Sequence, residues 1–180
     1  MPLAFLPFLR SNRRAAVLAA YGAIVERARH PVFYTDWGVP DSFDGRFEVL
    51  ALHAMLVLHR LKADHAVTAA FAQSLFDTIF ADLDRSVREM GATDLGVGRY
   101  VKAMARGFYG RIVAYEQGLA EGDEALRGAL SRNLYGTAEA RPEQLAAVAG
   151  YTRRQSAALA AVPAAALLDG KMPFAPVEAA

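Results

Sequence analysis

Apolar residues recur at spacings of three and four along most of this chain, and no useful length alternates with a period of two. This spacing is typical of helices that bury one face, and it argues against strands. The segments begin at capping residues or at a proline and end at proline or glycine. The pattern predicts six helices: one capped by Ser11 or Asn12 and ending near Arg29, then 42–62, 64–90, 94–119, about 126–136, and a last one with Pro142 in its first turn.

The second predicted helix is apolar on nearly every side, because Val49, Leu50 and Met55 fall on three different faces. A helix of this kind is central and surrounded by others. We therefore expect an all-α fold, a single compact domain of about six helices across residues 1–180. Its core covers about 11–175, the ends at 1–10 and 175–180 are expected to be flexible, and the Ala- and Pro-rich tail is expected to form an extended C-terminal arm.

Composition supports the helical prediction and excludes several kinds of site. Alanine supplies about a fifth of the residues and β-branched residues are sparse, which favours helices over strands. The chain has no cysteine, so disulfides, thiolate zinc sites, iron–sulfur clusters and cysteine nucleophiles are excluded. The net charge of +1 argues against a dedicated nucleic-acid binder, and we expect no DNA partner, although it leaves local basic patches open. No apolar run reaches the ~20 residues that span a bilayer.

The titratable residues form no recognisable catalytic or metal-binding motif. His53, His59 and His65 are spaced by six, so helix geometry turns neighbouring imidazoles about 120° apart. The Ser and Gly motifs of nucleophilic enzymes and of phosphate loops are also missing. We predict no catalytic residue, no metal and no cofactor. His53 lies in the most apolar helix and is expected to be a buried, hydrogen-bonded histidine, with a haem- or quinone-binding bundle as the alternative.

Residues 33–47 combine aromatic and acidic side chains around Trp37, the only tryptophan of the chain. Aromatic clusters of this kind suit binding hot spots. The structural alternative is a loop held over the core by its aromatics, with Asp41 capping the second helix. On the binding interpretation, the candidate contact residues are Tyr34, Trp37, Asp41, Asp44 and Arg46.

The fourth predicted helix carries Arg99, Lys102 and Arg106 at spacings of three and four, opposite its apolar face, and Tyr109 continues the line. No acidic residue occurs between positions 95 and 115. Such a stripe suits RNA phosphates, an acidic partner or anionic lipid, and the alternative is a solvated face. We take these four residues as further candidate partner contacts.

Several of these segments together resemble the ubiquinol–cytochrome c chaperone family. The resemblance covers roughly residues 15–175, and it rests on the ordered occurrence of several motifs rather than on any single one. The matching segments are 33–47, 50–61, 94–102, 108–111 and 130–135.

The resemblance implies a non-catalytic, helical assembly factor of respiratory complex III, the ubiquinol–cytochrome c reductase. Members of the family bind newly made cytochrome b, act with a small partner protein and associate with the ribosome near its exit tunnel. The positive charges follow the apolar start of this chain, unlike those of a secretory signal, and we read no presequence. We therefore expect an alphaproteobacterial-type member in the cytoplasm, peripheral at the inner membrane.

The resemblance supplies no established contact residues, so the nine candidates rest on motif position and chemistry. The aromatic loop would offer apolar surface to a membrane-protein client, and the basic stripe would orient the chain at the membrane or ribosome. A ribosome- or RNA-binding adaptor without a cytochrome client is the main alternative function.

Overall fold

Helices account for the architecture of residues 6–89 and 94–177, which are the part of the chain that the computed structural model describes. These ranges contain eight helices and no strand. The helices are α1 (Leu6–Ala28), α2 (Val32–Thr35), α3 (Phe43–Ala63), α4 (His65–Glu89), α5 (Asp94–Glu121), α6 (Asp123–Asn133), α7 (Pro142–Ala160) and α8 (Ala164–Leu168). The all-α prediction is confirmed.

Six of these helices correspond to the six predicted ones, and the differences lie at their edges. α1 begins at Leu6 rather than after Ser11 or Asn12. Pro7 stands in its first turn. Backbone N–H groups in the first turn of a helix have no acceptor within the helix, so a proline there removes no hydrogen bond. The short α2 lies in a segment predicted to be a loop, and α8 interrupts the predicted extended arm. Residues 1–5 and 178–180, where we expect flexible ends, lie outside the described residues.

The third helix is the centre of the fold, as its all-round apolar pattern predicts. α3 packs against α1, α4, α5 and α7. Residues 51–57 are all buried, so about two full turns of the helix lack contact with water on every side. Each fully buried aliphatic side chain contributes roughly 1.5–3 kcal/mol of transfer free energy, which makes α3 the main source of core stability.

The start of α3 depends on two small residues. The Ser42 hydroxyl oxygen accepts a hydrogen bond from the Gly45 backbone N–H at 3.1 Å, which caps the helix. A Cβ atom on Gly45 would lie 1.9 Å from the carbonyl oxygen of Pro40. Only glycine therefore allows the preceding loop to fold back this closely on the first turn.

Around this centre, α5 and α6 form a close pair, and the chain end returns to the core. Beyond α8 the arm runs without regular structure to residue 177. Phe174 on the arm packs edge-on against His53 at 5.6 Å between ring centroids. Arg27 lies over the Phe174 ring and donates a hydrogen bond to its carbonyl oxygen at 3.3 Å. The arm therefore packs across α1 and α3.

His53 is a fully buried structural residue. Its Nδ1 lies 2.7 Å from the Val49 carbonyl oxygen, and its Nε2 lies 2.7 Å from the Tyr151 hydroxyl. A neutral ring that donates from Nδ1 and accepts at Nε2 satisfies both contacts. Burial lowers the pKa of His53 to about 4. The prediction of a buried, hydrogen-bonded histidine is confirmed, and neither ring nitrogen is open to a haem iron.

Candidate interaction surface

The aromatic loop is anchored in the core by its tryptophan. The Trp37 side chain is only 2% exposed and packs edge-on against Phe33, with 5.0 Å between ring centroids. Its carbonyl oxygen accepts a hydrogen bond from the Tyr135 hydroxyl at 2.6 Å. The structural interpretation of the loop therefore holds for Trp37, whose indole is not accessible to a partner in this conformation.

Three other candidates from the loop form a cluster in which Asp41 and Arg46 are exposed and Tyr34 is half-buried, with its hydroxyl donating to the Ala28 carbonyl oxygen at 2.8 Å. The Arg46 Nε donates to the Asp41 carboxylate at 2.6 Å, and its guanidinium lies 5.6 Å from the centre of the Tyr34 ring. The hydrogen bond to Asp41 raises the pKa of Arg46. Asp41 is thus an ion-pair partner, and its alternative role as the cap of α3 is wrong because Ser42 is the cap. Tyr34 and Arg46 border a cavity of about 200 Å³ between α1, α3 and α4.

Asp44 faces away from this cluster into a second cavity, which we call the α3–α5 groove. Its carboxylate accepts a hydrogen bond from the Tyr100 hydroxyl of α5 at 2.9 Å. The groove has a volume of about 350 Å³ and combines apolar and polar walls. Its walls come from the first turns of α3, from α5 and from the end of α6, and they include Phe47, Ala103, Met104, Arg132, Leu134 and Thr137.

An ion pair that the sequence analysis missed closes the bottom of the α3–α5 groove. Arg111 of α5 binds Glu48 of α3 with two hydrogen bonds, one of them from Nε to Oε2 at 2.6 Å. Glu48 is 8% exposed, and its burial raises its pKa against the opposing effect of Arg111. A Cβ on Gly107 would meet the Arg111 Nη1 atom at 2.5 Å, so this glycine leaves space for the guanidinium.

The basic residues of α5 occupy a face of their own. Arg99, Lys102 and Arg106 are exposed, and none of them has an ion-pair partner among the described residues. Tyr109 continues the line and is 57% exposed. One side of its ring packs against Phe76 of α4, with 5.4 Å between centroids. We refer to these four α5 residues as the basic stripe.

The structure therefore divides the nine predicted contact residues into separate groups. Tyr34, Asp41 and Arg46 lie together on one side of the α3 start, and Asp44 lies in the groove on its other side. The basic stripe follows α5 beside that groove, and Trp37 belongs to the core. A sequence signal for Glu48 exists, because it is an acidic residue flanked by the apolar Phe47 and Val49 in the central helix.

Two kinds of feature, a metal site and a membrane-spanning helix, are absent from the described residues. Within residues 6–89 and 94–177, no three His, Cys, Asp or Glu side chains come together as a metal site. Among the helices of these ranges, none has both the length and the hydropathy needed to cross a bilayer.

The fold and these surfaces define an all-α protein with two surface cavities beside a central helix. Residues 35–174 match the family described as "Ubiquinol-cytochrome C chaperone", and the chain belongs to this family. The crystal structure of the Cbp3 homolog from Brucella abortus superimposes with a TM-score of 0.88 at 36% sequence identity, over 98% of each chain.

Curated relatives agree with this assignment. "Ubiquinol-cytochrome-c reductase complex assembly factor 1" of Xenopus laevis is 26% identical over 142 residues, which are 79% of this chain and 71% of the relative. The human protein of that name is 24% identical over 150 residues, which are 83% of this chain and 50% of the relative. Saccharomyces cerevisiae "Protein CBP3, mitochondrial" is 30% identical over 107 residues, which are 58% of this chain and 32% of the relative. The chain spans about half the length of its human and mouse relatives.

Proposed function

We propose that this chain is a non-catalytic chaperone that binds newly made cytochrome b and assists assembly of the ubiquinol–cytochrome c reductase complex. The observation that carries the proposal is the match of residues 35–174 to the chaperone family, together with relatives named as assembly factors of this complex. The residues that wall the α3–α5 groove all fall inside the matched range.

The chemistry of the groove suits a client that has not finished folding or assembling. An unassembled membrane protein exposes apolar side chains together with polar ends of helices. Phe47, Met104 and Leu134 supply apolar contacts in the groove, and Tyr100 and Arg132 supply hydrogen-bonding groups at its walls. Mixed walls of this kind bury apolar side chains and still give polar groups a partner.

The proposal extends to location and to other partners. A chaperone for a membrane protein works where that protein is inserted, so we place this chain at the cytoplasmic side of the inner membrane as a peripheral protein. The basic stripe orients the chain there by its charge. A small partner protein and the ribosome near its exit tunnel are further proposed contacts, and the capture experiment below reports them.

The test is capture of the tagged chain from its native cells in mild detergent, followed by identification of the bound proteins by mass spectrometry. We expect cytochrome b to be enriched above other membrane proteins. The combined Arg99→Glu, Lys102→Glu and Arg106→Glu variant should retain its fold and capture less cytochrome b, because charge reversal removes the orienting contact.

Other results would contradict these statements separately. Unchanged capture of cytochrome b by the triple variant would refute a role for the basic stripe. Ribosomal proteins without cytochrome b would favour the adaptor function. Capture of neither, with the reductase complex assembling normally after deletion of the gene, would refute the proposed function itself.

A further inference from the structure

The outward face of α5 carries three positive charges that no acidic side chain among the described residues pairs with. At about 100° per residue, Arg99, Lys102 and Arg106 fall within roughly 60° of one another around the helix. The three cations have no ion-pair partner among the described residues, and no acidic residue occurs from 95 to 115. Three like charges on one helix face repel one another, so this face is best stabilised by an external anionic surface.

Two exposed side chains of another kind extend the same face. Tyr109 is 57% exposed and Val113 is 53% exposed, and both lie within the same arc of roughly 80°. From Arg99 to Val113 the face is about 21 Å long, at 1.5 Å per residue. Three cations are thus followed along one straight line by a tyrosine and an aliphatic residue, all pointing away from the core.

This order favours a lipid surface over a nucleic acid. The face is convex, because the opposite side of α5 is buried through Val97, Phe108 and Tyr115. An exposed valine gains nothing beside a phosphate backbone, whereas the boundary between headgroups and acyl chains accepts both tyrosine and valine. Phe76 covers one side of the Tyr109 ring, which leaves it little room to stack between bases.

We propose that the face formed by Arg99, Lys102, Arg106, Tyr109 and Val113 docks this chain on a bilayer of anionic lipids. The cations bind headgroup phosphates, and the two other side chains enter the interfacial layer. The inference deepens the proposed function, on which it rests for its biological context. Ala103 of the groove lies about 40° from Arg99 around α5, so docking brings this side of the groove to the edge of the membrane, where a membrane-protein client emerges.

Purified protein and vesicles of defined composition test the proposal without any client. We expect the chain to co-sediment with vesicles of phosphatidylcholine and phosphatidylglycerol, and not with vesicles of phosphatidylcholine alone. Each basic residue near such a surface contributes about 1 kcal/mol, so the combined Arg99→Gln, Lys102→Gln and Arg106→Gln variant should bind on the order of 100-fold more weakly. High salt should release the wild-type chain, because it screens the charges.

A matched control removes the same charge elsewhere. Arg14, Arg127 and Arg154 are exposed on α1, α6 and α7, away from the proposed face. The combined Arg14→Gln, Arg127→Gln and Arg154→Gln variant carries the same net charge as the stripe variant and should still bind the anionic vesicles. Circular dichroism and thermal unfolding of both variants should match the wild-type chain, because the replaced side chains make no packing contact in the core.

A fluorescence experiment tests the orientation. Trp37 is buried and is the only tryptophan, so a Tyr109→Trp variant adds one accessible indole. Bromine on the lipid acyl chains should quench this added fluorescence when anionic vesicles are present, and Trp37 alone should not be quenched in the wild-type chain.

Three results would overturn the proposal. These are failure of the wild-type chain to bind anionic vesicles, equal binding by the stripe and control variants, and stripe-dependent binding to single-stranded RNA that exceeds binding to the vesicles. None of them bears on the capture of cytochrome b, so failure of the lipid contact and failure of the chaperone function are distinguishable.

Discussion

Glu48 of α3 and Arg111 of α5 form a two-pronged ion pair beneath the α3–α5 groove, although 63 positions separate them in the chain. Both side chains are largely buried. Burial raises the pKa of Glu48 even with Arg111 beside it, which means that removing the carboxylate from water has a high energetic cost. The pair holds α3 and α5 together at the floor of the groove only while both partners are present.

The first prediction concerns loss of one partner. An Arg111→Ala variant should lose about 3–5 kcal/mol of unfolding free energy, because it leaves a buried charge without its partner. Asp41→Ala removes an exposed ion pair with Arg46 and should change stability by about 0–1 kcal/mol. Urea unfolding followed by circular dichroism measures both values. Equal losses in the two variants would show that burial does not distinguish the pairs.

The second prediction concerns pH and His53. Its pKa is about 4 in the folded chain and about 6.5 in an unfolded one, so protons bind more tightly to the unfolded state. The neutral histidine therefore contributes stability that is complete above pH 6.5 and is lost as the pH falls towards 4. Unfolding free energies across this window should fall by up to about 3 kcal/mol from this residue.

Two variants isolate the His53 contribution from that of the carboxylates. His53→Gln should flatten the dependence between pH 6.5 and 4, even if the variant is less stable throughout. His65→Gln, which replaces an exposed histidine, should leave the dependence as in the wild-type chain. The same slope in all three proteins would contradict the assignment.

The third prediction compares two aromatic residues from the candidate contact set. Trp37→Ala should lose about 3–5 kcal/mol, because it opens a cavity beside Phe33 and Tyr151. Tyr109→Ala should change stability by about 0.5 kcal/mol, because the side chain is mostly exposed. Thermal unfolding measures both. Unchanged stability of the Trp37→Ala variant would contradict the burial of Trp37 and make it a candidate contact residue again.

The sequence predicts the long helices of the fold better than its short elements and helix ends, and the reasons are physical. Apolar periodicity locates the six long helices and the central α3, because burial of a helix face leaves a direct trace in residue spacing. The short α2 leaves no such trace, since its four residues complete barely one turn. The start of α1 at Leu6 precedes the predicted start at Ser11 or Asn12, because the first turn of a helix tolerates a proline such as Pro7.

The functional surface was less predictable than the helices. Spacing places Arg99, Lys102 and Arg106 on one face, and the structure leaves that face exposed. Trp37 is different, because its burial depends on Tyr135, which is 98 positions away. No local pattern reports such a distant contact, and the same is true of the pair between Glu48 and Arg111. Contacts between side chains of different helices therefore could not be predicted from the sequence.

The most direct test of the central claim fills the α3–α5 groove. Ala103 is exposed and lines the groove, so an Ala103→Trp variant should block it without removing a core contact. Ala120→Trp places the same side chain at an exposed position about 25 Å along the same helix and serves as the control. Each variant replaces the wild-type chain in its native cells, and the cytochrome b captured with it is measured together with the assembled reductase complex. We predict that Ala103→Trp lowers both quantities several-fold and that Ala120→Trp leaves both at the wild-type level. Wild-type amounts of both with a stably folded Ala103→Trp chain would contradict client binding in this groove.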